Sequence, residues 1–216
     1  MNFSETFFFK AAELIGTLAF AASGAMLAID RRLDLLGVVV LGVTTALGGG
    51  TIRDVLVGIL PPRMFSNYSY VAAAVITSVI VFLIEARFRE SFLRRREAVD
   101  RVMNLFDAIG LGVFTIIGIQ TSIEQGYGGN AFLSVFLGVL TGVGGGVLRD
   151  VMSQETPAVL RKHVYAVASV AGGVFYYICY HFNWNGGLPV LISVVIVVAI
   201  RLLAAHYRWS LPKVPV

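Results

Sequence analysis

Apolar residues run along this chain in long blocks separated by short polar and charged stretches. The blocks fall at 8–29, 35–57, 66–86, 103–122, 132–152, 164–182 and 187–207. Each is close to the ~20 residues a helix needs to cross a bilayer. The last two are divided by His181 and the turn-forming Asn183-Trp-Asn-Gly-Gly187, with Pro189 just beyond. The pattern predicts an all-α integral membrane protein of seven transmembrane helices, forming one membrane domain over 1–216.

Composition supports this reading. The chain is 57% hydrophobic and 14% charged, with a mean hydropathy of +0.81, whereas a soluble domain carries about 25% charged residues. Cys179 is the single cysteine, which excludes an intrachain disulfide and a multi-cysteine metal site. His163, His181 and His206 are scattered. A nucleotide enzyme would need a phosphate-binding glycine loop between a strand and a helix, and Gly142-Val-Gly-Gly-Gly146 lies inside an apolar block.

The formal charge of +4 does not signal nucleic acid, because the basic residues sit at the ends of the blocks. Seven crossings put Arg31, Arg32, Arg87, Arg89, Arg94, Arg95, Arg96, Arg101, Arg161, Lys162, Arg208 and Lys213 on one side, with Arg201 able to snorkel to it. The other side receives Lys10 and Arg63. Positive charge collects on the cytoplasmic face, so the N-terminus is expected outside and the C-terminus in the cytoplasm. Arg94-Arg-Arg96 reads chiefly as a topology anchor, with anionic lipid as a candidate partner.

The blocks also repeat. Glu13, Gly16, Phe20 and Gly24 correspond to Asp107, Gly110, Phe114 and Gly118 at a constant offset of 94. This argues against a cleaved leader at Ala19-Phe-Ala21, since a segment that belongs to a repeat is not expected to be discarded. The copies run from about 8 to 90 and from about 103 to 182. Each holds three spans, so the second enters from the opposite face. Such inverted repeats are common in transporters and channels. The seventh span, about 187–207, has no counterpart.

The most distinctive stretch is Leu41-Gly-Val-Thr-Thr-Ala-Leu-Gly-Gly-Gly-Thr-Ile-Arg-Asp54, which returns as Leu137-Gly-Val-Leu-Thr-Gly-Val-Gly-Gly-Gly-Val-Leu-Arg-Asp150. Each interior glycine costs a helix about 1 kcal/mol relative to alanine, so Gly48, Gly49, Gly50 and Gly144, Gly145, Gly146 predict broken second and fifth helices. Proline follows at Pro61-Pro62 and Pro157. Irregular backbone at membrane depth survives only where it is buried in protein or lines water. The triplets therefore point to a polar path, with carbonyls and the hydroxyls of Thr44, Thr45, Thr51 and Thr141 as cation ligands. The competing reading is close helix packing through small residues.

At 1.5 Å per residue, Glu13 and Arg53 come out at about the same depth on one side of the middle, and Asp107 and Arg149 on the other. Two ion pairs are expected, Glu13 with Arg53 and Asp107 with Arg149. Asp54 and Asp150 are candidates to neutralise the arginines, which could gate the path or lock the fold.

Paired Gly-Gly-Gly-x-x-Arg-Asp motifs in two three-span repeats with a seventh span resemble the prokaryotic trimeric intracellular cation (TRIC) channel family, over roughly residues 10 to 207. The resemblance implies a homotrimer with one pore per protomer, beside the second and fifth helices, conducting monovalent cations. Potassium is the chief permeant ion and sodium a further candidate. It implies no cofactor and no metal beyond transient potassium, a prokaryotic inner membrane location, and lipid as the surroundings. Animal members carry a lysine-containing motif and bind phosphoinositide; here arginine stands in both motifs, and that regulation is not carried over. The same group is also described as glycine-transporter-like, which makes a small-solute carrier the alternative, with Arg53 or Arg149 receiving a carboxylate.

Overall fold

The computed structural model describes residues 3–88, 96–161, 164–184, 186–207 and 209. Its long helices are α1 (Phe3–Asp30), α2 (Leu35–Leu56), α4 (Ser69–Arg87), α5 (Arg96–Ser122), α6 (Ala131–Met152), α8 (Val164–His181) and α9 (Gly187–His206). Two single-turn helices, α3 (Arg63–Ser66) and α7 (Ala158–Arg161), follow α2 and α6. Among the described residues, seven helices are long and apolar enough to cross a membrane. Arg89, Arg94, Arg95, Lys162, His163, Arg208 and Lys213 lie outside the described residues, as does the side chain of Arg96.

Helix ends are set by local chemistry. Asp34 caps α2 by accepting from the Gly37 amide at 2.8 Å, and Asn130 caps α6 by accepting from Leu133 at 3.0 Å. Each satisfies an amide that has no partner within its helix. Between α8 and α9 the chain turns through Asn183 at φ 57° and Gly186 at φ 112°. Pro189 falls in the first turn of α9, where its missing N–H costs nothing. The fourth span, α5, begins at Arg96, before its expected start near 103. Its first turns carry Glu97, Asp100, Arg101 and Asn104, and a helix can continue past the hydrocarbon where polar side chains meet water. Hydropathy marks the apolar run, not the helix.

α1 packs along α2 and α5, α5 along α6, and α2 against α6 at the centre. Phe20 and Phe114 lie with ring centroids 5.3 Å apart. A Cβ at Gly110 would run into the ring of Phe20, and one at Gly16 would lie 3.2 Å from the Phe114 ring. The repeat-matched residues thus receive each other reciprocally. Outside this core, Leu36, Leu83, Phe132, Leu191 and many other large apolar side chains are exposed, as a lipid-facing surface requires. Tyr68, Tyr127, Phe132 and Trp184 are exposed at one end and Tyr207 and Trp209 at the other, the interfacial positions aromatic rings favour.

The expected breaks in the second and fifth helices are absent. The second and fifth spans, α2 and α6, run as helix through both glycine triplets. The glycines are spent on approach, not on a break. A Cβ at Gly49 would run into the carbonyl oxygen of Thr141, and one at Gly145 into that of Thr45. A Cβ at Gly144 would lie 3.2 Å from the Gly49 Cα. In lipid, helices associate by packing, since no hydrophobic drive distinguishes neighbour from solvent. Backbone contact between α2 and α6 offsets the propensity that the glycines give up.

Candidate functional site

The site residues gather at the two ends of the α2–α6 crossing. Gly49 and Gly145 form the crossing itself. Gly48 packs on Leu148, and Gly144 on Gly49. Gly146 makes room for Tyr165, whose hydroxyl oxygen would lie 2.9 Å from a Cβ there. Gly50 meets only the Arg53 guanidinium and lines a small cavity.

The threonines are largely committed to helix packing. Thr45 donates to the Leu41 carbonyl at 2.6 Å, and Thr141 to Leu137 at 2.6 Å. Their hydroxyls sit where Gly24 and Gly118 lack a Cβ, so each fastens α1 to α2 or α5 to α6. Thr51 donates to Leu47 at 2.9 Å and lies 2.9 Å from the Met64 sulfur. Thr44 is half-buried.

The two motif arginines are buried, Arg53 at 3% exposure and Arg149 at 6%. Each turns back on the next residue. Arg53 reaches Asp54 Oδ1 from Nε at 3.0 Å and from Nη2 at 2.7 Å. Arg149 does the same to Asp150 Oδ1, from Nε at 2.9 Å and from Nη2 at 2.8 Å. The other carboxylate oxygens cap the helices after the prolines: Asp54 Oδ2 accepts from the Arg63 amide at 2.9 Å, and Asp150 Oδ2 from Ala158 at 2.7 Å. Each Arg-Asp pair therefore neutralises its charge and ties the end of its long helix to the turn that follows.

Beyond this shared core the ends differ. Arg149 Nη1 donates to Asp107 Oδ1 at 2.7 Å and to Ser23 Oγ at 2.7 Å, joining α6 to α5 and α1. The expected contact between Asp107 and Arg149 is thus present in the geometry. The expected pair between Glu13 and Arg53 is not formed. Arg53 bonds Asp54 instead, and Glu13 faces a cavity shared with Tyr70. Glu13 and Arg53 share only the lining of a cavity of about 40 Å³, with Thr17, Asp54, Met64 and Tyr70. Equal depth did not suffice: Arg53 turns Nε and Nη2 to Asp54 Oδ1, and none of its nitrogens reaches Glu13 as Arg149 Nη1 reaches Asp107.

Tyr165, Tyr70, Ser23 and Arg201 were missed by sequence reasoning. Tyr165 donates to Asp107 Oδ1 at 3.3 Å, and Tyr70 lines the Glu13 cavity; both stand second in their helices, an alignment that would have exposed them. Arg201 does not snorkel outward. It is 5% exposed, with Nη2 3.3 Å from Asp107 Oδ2 and its guanidinium carbon 4.3 Å from the Tyr165 ring centroid. The signal was its position as an arginine well inside an otherwise apolar span. Two arginines and two aspartates thus form a compensated cluster at this end.

The ends are also bridged at the surface, by Arg63 with Glu124 at 3.5 Å and by Arg31 with Glu155. An apolar cleft of about 780 Å³ lies elsewhere. Its walls are Leu18, Met26, Val81, Ile84, Val102, Phe106 and similar residues, with Thr77 the polar exception. It suits acyl chains, not ions.

Comparison with known proteins agrees with this architecture. The model of a family described as glycine transporter matches the chain twice, at residues 10–86 and 104–181. A UPF0126 membrane protein of Vibrio cholerae is 36% identical over 93% of this chain and 80% of its own. The UPF0126 inner membrane protein YadS of Escherichia coli is 34% identical over 93% of each chain. A solved TRIC cation channel superposes with a TM-score of 0.81 at 36% identity, covering 96% of this chain and 98% of that one. A prokaryotic TRIC channel crystallised in 0.5 M KCl superposes at 0.85 with 30% identity, covering 95% and 100%. This multi-pass membrane protein belongs to the prokaryotic TRIC channel family.

Proposed function

We propose that the protein is a homotrimeric, potassium-permeable cation channel with one pore in each protomer, sodium being a second permeant ion. The pore follows α2 and α6, with α1 and α5 as its other walls, and needs no cofactor. The protein sits in the inner membrane of a prokaryotic cell among its lipids, N-terminus outside and C-terminus cytoplasmic, with the basic loops inside. The observation that carries this reading is the pair of buried Arg-Asp sites at opposite ends of the α2–α6 crossing, Arg53–Asp54 and Arg149–Asp150. Polar groups at membrane depth are costly and mark ion or substrate pathways, and these lie within one protomer. Likeness to solved TRIC cation channels over nearly the whole chain supports the same conclusion.

In this conformation the path is closed. The Gly49–Gly145 contact leaves no room between α2 and α6, and each guanidinium is held by carboxylates. Conduction requires the arginines to withdraw, because a fixed positive charge repels an approaching cation. Arg53, Asp54, Arg149 and Asp150 are thus gating residues in this reading, and Glu13 and Asp107 their neighbours of opposite charge.

Planar-bilayer recording of the purified protein tests it. Unitary currents reversing near the potassium equilibrium potential are expected, and Arg53→Gln or Arg149→Gln should change open probability. A small-solute carrier is the second reading, favoured by the glycine-transporter family description and by Arg53 lining a cavity without a Glu13 partner. Saturable glycine uptake without unitary currents would select it.

A further inference from the structure

The two repeats place the same parts at each end of the crossing, yet only one end is clamped. At both, the tyrosine in the second position of its helix lies beside the acid of the repeat's first helix: Tyr70 lines one cavity with Glu13, and Tyr165 donates to Asp107 at 3.3 Å. At one end, among the described residues, the acid holds no arginine. At the other, Asp107 holds two, Arg149 on Oδ1 at 2.7 Å and Arg201 on Oδ2 at 3.3 Å. Arg201 comes from α9, the helix with no counterpart in the other repeat.

We infer that Arg201, seated on Tyr165, is a positioning residue that fixes the Asp107 carboxylate and thereby holds Arg149 across α1, α5 and α6, leaving the Arg53 end as the one that opens more readily. This rests on the channel reading proposed above.

A carboxylate held from one side can rotate about its χ angles and follow the arginine it binds. Asp107 is held from both sides, by guanidinium groups on different helices. The Arg201 guanidinium is planar and stacks on an aromatic face, a mode that positions it well. Its head is held by Asp107 and the Tyr165 face, while its Nε is buried without a hydrogen-bond partner. Leaving a buried donor unsatisfied is costly, so Arg201 is not placed for its own hydrogen bonding. Arg149 in turn donates to Ser23, which is fully buried. Release of Asp107 therefore frees Arg149 to leave α1 and lets water reach Ser23.

Two readouts test this on the full-length protein. In bilayers, Arg201→Gln is expected to raise open probability about tenfold, equivalent to ~1.4 kcal/mol, with unitary conductance unchanged. Tyr165→Phe, a milder change that keeps the ring, should raise it about threefold, near ~0.7 kcal/mol. In an Asp107→Asn background, where the clamp has no charge to hold, Arg201→Gln should add less than about twofold. An unchanged open probability in both single variants, or the same tenfold effect without Asp107, overturns the clamp.

The second readout does not depend on current. In vesicles carrying Ser23→Cys and Cys179→Ala, a water-soluble methanethiosulfonate reagent should label Cys at position 23 about tenfold faster when Arg201→Gln is added. An equal rate overturns the clamp. If the wild-type protein passes no potassium current, the channel reading fails, and labelling still decides the clamp. If Arg201→Gln does not fold, Tyr165→Phe carries both measurements.

Discussion

Gly49 and Gly145 meet backbone to backbone where α2 crosses α6, so that a side chain on either would enter the carbonyl of the facing helix. Both stand in the middle of a triplet, and both contacts repeat with the sequence. The triplets set the distance between the two central helices, and the buried arginines lie just beyond them.

Alanine at Gly145 should force the helices apart. Overpacking of this kind costs about 1–3 kcal/mol, and here the atom in the way is backbone, which cannot rotate aside. Thermal unfolding in detergent should show a clear loss for Gly145→Ala and for Gly49→Ala. Gly129→Ala is the control, since nothing lies within 4 Å of a Cβ there. Equal stability of all three would refute the packing role.

Asp107 and Glu13 occupy matching places but should respond differently. Asp107→Asn leaves Arg149 and Arg201 buried with a weakened partner, and breaking a buried ion pair costs about 3–5 kcal/mol. Glu13→Gln breaks no arginine pair and should cost less than about 1 kcal/mol, in the range of a single hydrogen bond. Chemical denaturation of the two variants side by side reads the difference.

The motif aspartates each serve two partners. Asp150→Asn keeps one oxygen, which can accept from Ala158 or from Arg149 but loses the charge that favoured the guanidinium. A charge-assisted hydrogen bond contributes about 1.5–3 kcal/mol. Hydrogen exchange at the Ala158 amide should speed up, while the Leu133 amide, capped by Asn130, keeps its protection. Faster exchange at both would point to general destabilisation instead.

The surface bridges should matter little. Arg31 and Glu155 are partly exposed, and such pairs contribute about 0–1 kcal/mol. Arg31→Ala should lower stability by less than about 1 kcal/mol, and the difference should vanish near 1 M salt, where the Debye length is about 3 Å. A larger, salt-insensitive loss would mean that Arg31 does more than bridge the loops.

How much of this was legible in the chain depends on which coordinate is asked for. Seven spans, the turn at Asn183–Gly186 and the doubled Arg-Asp motif follow from residue order, because hydrocarbon thickness and helical rise convert apolar length directly into crossings. Depth follows too, and it put Arg149 level with Asp107. What position along the chain does not carry is the direction in which a side chain leaves its helix, or which helix stands beside it. Glu13 and Arg53 share a depth, yet Arg53 found Asp54 next door. Arg201 was long enough to reach the surface, and tertiary packing turned it inward onto Asp107 and Tyr165. The triplets show the same division. Their cost to a lone helix was plain from composition, but only a second helix, arriving with its own glycines, could turn that cost into contact instead of a break.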